Sequence, residues 1–129
     1  MKLITEHWVG RSNTENWATD PTIGDLEEAF AALDGERHTL MSLESASGAV
    51  LMIGGGPNYF IAQALNADHC WLAKSDDTGS PRIELVVGGQ LSEFESGALL
   101  SRAQCSDILS VFFHGDGVLT TKVDWSIVY

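Results

Sequence analysis

Ala49-Val50-Leu51-Met52-Ile53-Gly54-Gly55-Gly56-Pro57-Asn58-Tyr59-Phe60-Ile61-Ala62-Gln63-Ala64-Leu65 is the stretch on which the fold class turns. Two apolar runs of strand length, 49–53 and 58–65, flank four residues of turn chemistry, Gly54 to Pro57. A connection this short joins antiparallel neighbours, because a parallel crossover needs about a dozen residues or more. The same punctuation recurs on either side. Ser45-Ala46-Ser47-Gly48 and Asn66-Ala67-Asp68 separate further runs at 37–44 and 69–73. Four consecutive strands with short links predict an antiparallel sheet.

Working outward, 3–9 reads as a strand in which Trp8 adds β preference. The polar stretch 10–21 reads as a loop with Trp17 as an apolar anchor inside it. A helix follows, with Thr22 as its N-cap and Asp25, Glu27 and Glu28 in early turns where the dipole favours acids. Ile23, Leu26, Phe30 and Leu33 recur at spacings of three and four, one buried face, and Gly35 ends the element. Past the four strands, 75–81 is a turn-rich loop, and strand 82–87 runs into Gly88-Gly89-Gln90. Ser101 to Gln104 is a capping box whose helix reaches Phe113 and stops at His114-Gly115. A last strand, 119–128, carries Val123, Trp125 and Ile127 on one face. The expectation is a single α+β domain over 1–129, a mainly antiparallel sheet of six or seven strands with two helices packed on it.

Charge narrows the functions available. The 129 residues carry 18 acids against 7 bases, a formal charge of −11. Residues 1–64 hold nine acids and three bases, and 65–129 hold nine and four, so the acidity is spread along the chain. Direct nucleic-acid binding needs the opposite sign, since phosphate contacts supply most of the affinity. An acidic surface instead speeds encounter with a basic partner, or simply keeps the protein soluble. Cys70 and Cys105 have no CxxC or Cys/His neighbours and suit a reducing compartment, Cys105 sharing a helical stripe with Ile108, Leu109 and Phe112. No stretch has the length of a membrane span or the make-up of a signal peptide, which predicts a cytoplasmic protein.

The candidate catalytic and ligand groups are sparse. Gly54-Gly55-Gly56 leads into a strand rather than a helix and lacks a Lys-Ser/Thr pair, so it predicts a hairpin turn and no phosphate loop. Gly88-Gly89-Gln90 matches the tripeptide of peptide-chain release factors, but those must approach a very anionic ribosome, and this chain has the wrong charge. His7, His38, His69 and His114 lack metal-ligand spacing and read as structural. No G-x-S-x-G elbow holds a serine. The reading expects no enzymatic activity, no cofactor and no metal. Aromatics beside acids are more suggestive. Phe94 lies between Glu93 and Glu95 in an expected acidic loop, and Tyr59 follows the triple glycine. A ring framed by acids suits a protein-binding patch, while a Phe94 folded inward as a loop anchor is equally open.

Taken in order, these features resemble an immunity-protein family of bacterial polymorphic toxin systems, one associated with nucleic-acid deaminase toxins. The resemblance runs from Leu33-Asp34-Gly35 through Gly54-Gly55-Gly56 and its following aromatic, Gly88-Gly89-Gln90 with Phe94 nearby, the second helix, and Trp125 in the last strand. It implies a cytoplasmic α+β protein that binds a cognate toxin's C-terminal domain and blocks its active site or substrate cleft. The residues themselves place the expected contact on one acidic edge, Asp76 and Asp77 in one loop and Glu93, Phe94 and Glu95 in another, with Gly54, Gly55, Gly56, Gly88, Gly89, Gln90 and Trp125 serving the fold. The expected state is a monomer or weak homo-oligomer without nucleic acid or membrane partners. Two other readings compete: a small-molecule-binding or enzymatic domain using the glycine loops and a histidine, and a homo-oligomer subunit pairing through an exposed edge strand.

Overall fold

The computed structural model describes residues 1–75, 82–117 and 123–129. The elements are β1 (Lys2–Val9), β2 (Ser12–Thr19), α1 (Ile23–Ala31), β3 (Leu40–Glu44), β4 (Val50–Gly55), β5 (Phe60–Leu65), β6 (Cys70–Lys74), β7 (Ile83–Val87), β8 (Gln90–Phe94), α2 (Arg102–His114) and β9 (Asp124–Ile127). Seven strands form one sheet in the order β2-β1-β3-β4-β5-β6-β9, and β7 and β8 form a separate two-stranded sheet. Every pairing is antiparallel. The α+β class and the antiparallel sheet with two helices are therefore as the sequence indicates.

Side chains alternate across a strand, so each strand of the large sheet serves two faces. Leu3, Met41, Leu43, Leu51, Ile53, Phe60, Ala62 and Ala73 point to one face. They bury against Leu26 and Phe30 of α1 and Cys105, Ile108, Leu109 and Phe112 of α2. Ile61, between Phe60 and Ala62, points the other way and packs with Leu85 and Leu99, joined by Ile83, Val87 and Phe94. The β7–β8 hairpin thus lies on the sheet face opposite the helices, giving three layers.

Both helices start as their sequences dictate. Thr22 Oγ1 accepts from the Asp25 backbone N–H at 3.2 Å while Asp25 Oδ2 accepts from the Thr22 N–H at 2.8 Å. Ser101 and Gln104 make the same reciprocal pair at 3.2 and 2.9 Å. Within α2, burial pushes the Cys105 thiol up to about 12, only partly offset by the Arg102 charge. A thiol held neutral in the fold ionises first in the unfolded chain, so its contribution to stability falls as pH rises past 9.0. By about pH 10.5 the loss should reach about 2 kcal/mol, read as a steeper alkaline decline in denaturation midpoint for the wild type than for Cys105→Ala.

Several boundaries differ from the sequence reading. Residues 10–21 do not form a plain loop: they hold β2, paired along its whole length with β1 from Val9↔Ser12 to Lys2↔Thr19. Every residue of β2 is exposed, so no apolar alternation marks it, and Trp17 is 59% exposed rather than an anchor. The triple glycine is not all turn, for β4 runs through Gly54 and Gly55, which pair with Ile61 and Phe60, and Gly56 begins the turn. α1 caps at Ala32, three residues before Gly35. β3 begins at Leu40 rather than Arg37. Of the last strand, residues 118–122 lie outside the described residues, and Ile127 is exposed rather than sharing Trp125's partly buried side.

Candidate functional site

Gly88 and Gly89 are the two central residues of the turn joining β7 to β8, at φ +60° and +77°. Positive φ at both positions is what the tight hairpin turn matched to strand twist requires. Val87 and Gln90 close it, and Glu84↔Glu93 and Val86↔Leu91 stand opposite each other further out. Residues 93–94, expected in a loop, are therefore strand, and Glu95 follows directly before a 3₁₀ turn at Ser96–Ala98.

Pairing fixes what each face shows. Ile83, Leu85, Val87 and Phe94 turn toward the large sheet. Phe94 is partly buried there, against the cluster of Ile61, Leu85 and Leu99. Glu84, Val86, Leu91 and Glu93 turn outward, with Leu91 64% exposed. Arg82 joins Glu93 at 4.0 Å and Glu95 at 3.2 Å, all three side chains being largely in water. The outward side thus runs from Val86 and the exposed Leu91 at the turn, through the facing pair Glu84 and Glu93, to Arg82 and Glu95. Asp76 and Asp77 lie outside the described residues.

The sequence reading missed Glu84, Leu91 and Arg82. The signal was present: Gly-Gly between runs of alternating polarity marks a two-residue hairpin, and its register places Glu84 beside Glu93.

The hairpin is docked by close backbone approach and one buried polar chain. A Cβ on Gly54 would stand 2.6 Å from Val87 Cγ1, and one on Gly89 would stand 2.3 Å from Cζ2 of the Trp8 indole. Thr39, fully buried, accepts the Gly89 N–H at 3.0 Å and donates its hydroxyl hydrogen to the Glu6 carboxylate. Gln90 is exposed at the start of β8, and Trp125 sits in β9 opposite Ala73, partly buried on the main core.

A second concavity, about 370 Å³, opens beside α1 and is lined by Leu3, Glu6, Asp25, Glu28, Leu33 and His38 among others. Folding brings His38 against His7, ring centroids 5.0 Å apart, though they are distant in sequence. Three of the polar groups here have structural partners. His38 Nδ1 lies 2.9 Å from the Glu6 carbonyl, Glu6 is bound by Thr39, and Asp25 caps its helix. Nearby, burial works against ionisation of Asp34, but backbone N–H groups of Glu36, His38 and Arg37 and the His38 charge outweigh it and hold the carboxyl below its ordinary value. Among the described residues, no three His, Cys, Asp or Glu converge to hold a metal ion.

Neither a protein-family model nor a curated protein matches the chain. Among the described residues, no helix is long and apolar enough to cross a membrane.

Proposed function

We propose that this protein is a cytoplasmic immunity protein that binds the C-terminal domain of a cognate toxin, a nucleic-acid deaminase, and occludes its substrate cleft without chemistry of its own. The observation that carries the reading is the outward face of the β7–β8 hairpin. Glu84 and Glu93 stand opposite each other beside an exposed Leu91, with Glu95 beyond them, on a chain of charge −11. A toxin acting on nucleic acid must hold a polyanion, so its cleft is basic. Carboxylates on a hairpin docked to the sheet compete for that surface, and the leucine beside them supplies apolar area to the contact.

Glu93→Lys combined with Glu95→Lys tests it. Both side chains are exposed and their pairing with Arg82 is a surface ion pair, so the fold should keep its melting temperature. Affinity for the purified toxin domain should fall about tenfold or more at low salt, mainly through slower association. Unchanged affinity in a calorimetric titration rejects this surface.

The cleft beside α1 favours a second reading, a small-molecule-binding domain, because its volume falls within the range of ligand sites. On this reading Glu28→Leu at the rim weakens binding of a small cationic ligand. Absence of any such binding to the wild type, with toxin capture that is lost in Glu93→Lys/Glu95→Lys and kept in Glu28→Leu, supports the immunity reading.

A further inference from the structure

β2 is an edge strand with nothing paired to its outer side among the described residues. Its backbone groups can be assigned a side. Trp8 N–H bonds to Arg37 O, away from β2, and Asp20 N–H bonds to Met1 O, toward β1. Alternation along an antiparallel ladder then turns the even-numbered residues of β2 to β1 and leaves Asn13, Glu15, Trp17 and Thr19 offering N–H and C=O outward. Natural edges are guarded by lysine, proline, a bulge or a covering element. β2 contains neither lysine nor proline, and its register with β1 is unbroken over eight residues.

We infer that two copies of this chain associate through β2, pairing antiparallel about a two-fold axis at Asn16 to extend the sheet across both. Three observations favour a second copy and a register that keeps the two Glu15 carboxylates from facing each other. First, the local charge is balanced: 9–19 carries one base, Arg11, and one acid, Glu15, on a chain of −11. A locally neutral edge offers little to a basic partner and little repulsion to a like one. Second, two-fold pairing must join outward residues to outward residues. An axis at Glu15 sets two carboxylates directly opposite, which is destabilising. An axis at Asn16 sets Glu15 against Trp17 and Asn13 against Thr19 of the other copy, with like charges apart. Third, Trp17 is 59% exposed, with Lys2 Nζ 4.9 Å from its ring centroid. In this register the two Trp17 rings meet on the diagonal, a spacing within reach of aromatic side chains.

The inference is independent of the immunity reading, and salt separates them. Copies of charge −11 repel at long range, so screening strengthens self-association while it weakens capture of a basic partner. Sedimentation equilibrium of the full chain should show a mass approaching twice 13.9 kDa, with a dissociation constant falling at least threefold as salt rises from about 0.05 to about 0.5 M. Glu15→Pro removes an outward N–H that β1 does not use and should return the protein to monomer mass. Trp17→Glu, which sets a carboxylate opposite Glu15 of the other copy, should do the same, and far-UV circular dichroism identifies variants that keep the fold. A wild type that remains at monomer mass at about 0.1 mM and high salt overturns the inference. So does a folded variant that dimerises like the wild type. Variants that leave the mass unchanged but lose toxin capture would make β2 a toxin-pairing edge and overturn it equally.

Discussion

Gly89→Val is expected to lower the melting temperature by about 10 °C or more, the larger of the two strongest effects anticipated. Two costs combine. At φ +77° a β-branched residue is strained by about 1–3 kcal/mol. Its Cβ would also fall 2.3, 2.7 and 2.7 Å from three atoms of the Trp8 indole, a rigid ring that cannot fold aside. Overpacking of that kind costs about 1–3 kcal/mol further. Gly10→Ala is the control, because Gly10 also has positive φ, +62°, but nothing lies within 4 Å of its Cβ position. It should lose about 1 kcal/mol and no more. Thermal melts of both variants check the difference; equal losses would mean that backbone strain alone governs the turn and that Trp8 yields freely. Since Trp8 packs against the hairpin turn, Gly89→Val should also displace the Glu84–Glu93 face, and under the proposed immunity function that displacement weakens toxin capture.

Thr39→Val carries the second large effect, about 3 kcal/mol at constant volume. The hydroxyl has two roles at once: donor to the Glu6 carboxylate and acceptor from Gly89 N–H. Valine leaves a carboxylate that is only 8% exposed without this partner and strands a backbone donor. Glu6→Gln keeps an acceptor for the hydroxyl and should cost much less. Chemical denaturation gives the two free energies, and hydrogen exchange locates the damage. Protection of the Gly89 amide should collapse in Thr39→Val before that of Ile53 or Leu51. Equal costs for the two variants would show that the carboxylate charge, not the shared hydroxyl, holds the hairpin down.

Legibility in the sequence followed a physical line. The helices were readable because their starts are local: Thr22 with Asp25 and Ser101 with Gln104 satisfy each other within four residues. The antiparallel series from β3 to β6 was readable because its links are short and its faces apolar. β2 was hidden, because a strand exposed on both faces carries no hydrophobic period, and only its turn at Gly10-Arg11 marks it. β8 lacks a buried face over Gln90 to Glu93, which are all exposed, so the Gly88-Gly89 turn was its clearest mark. The docking chain from Glu6 through Thr39 to Gly89 joins residues 33 and 50 positions apart, which no local pattern reports. At the candidate surface, Glu93 and Glu95 were chosen as loop acids. The structure sets Glu93 on a strand beside Glu84, bound to the same arginine as Glu95.

The two-stranded hairpin divides its labour by parity. Odd positions of β7 and Phe94 of β8 grip the sheet, whereas Glu84, Leu91 and Glu93 point outward and are exposed. Exchanging the outward set therefore leaves the anchoring row intact, and the scaffold's foldability is insulated from whatever those positions are shaped to meet. Those three positions can be rewritten time after time while the same skeleton is inherited.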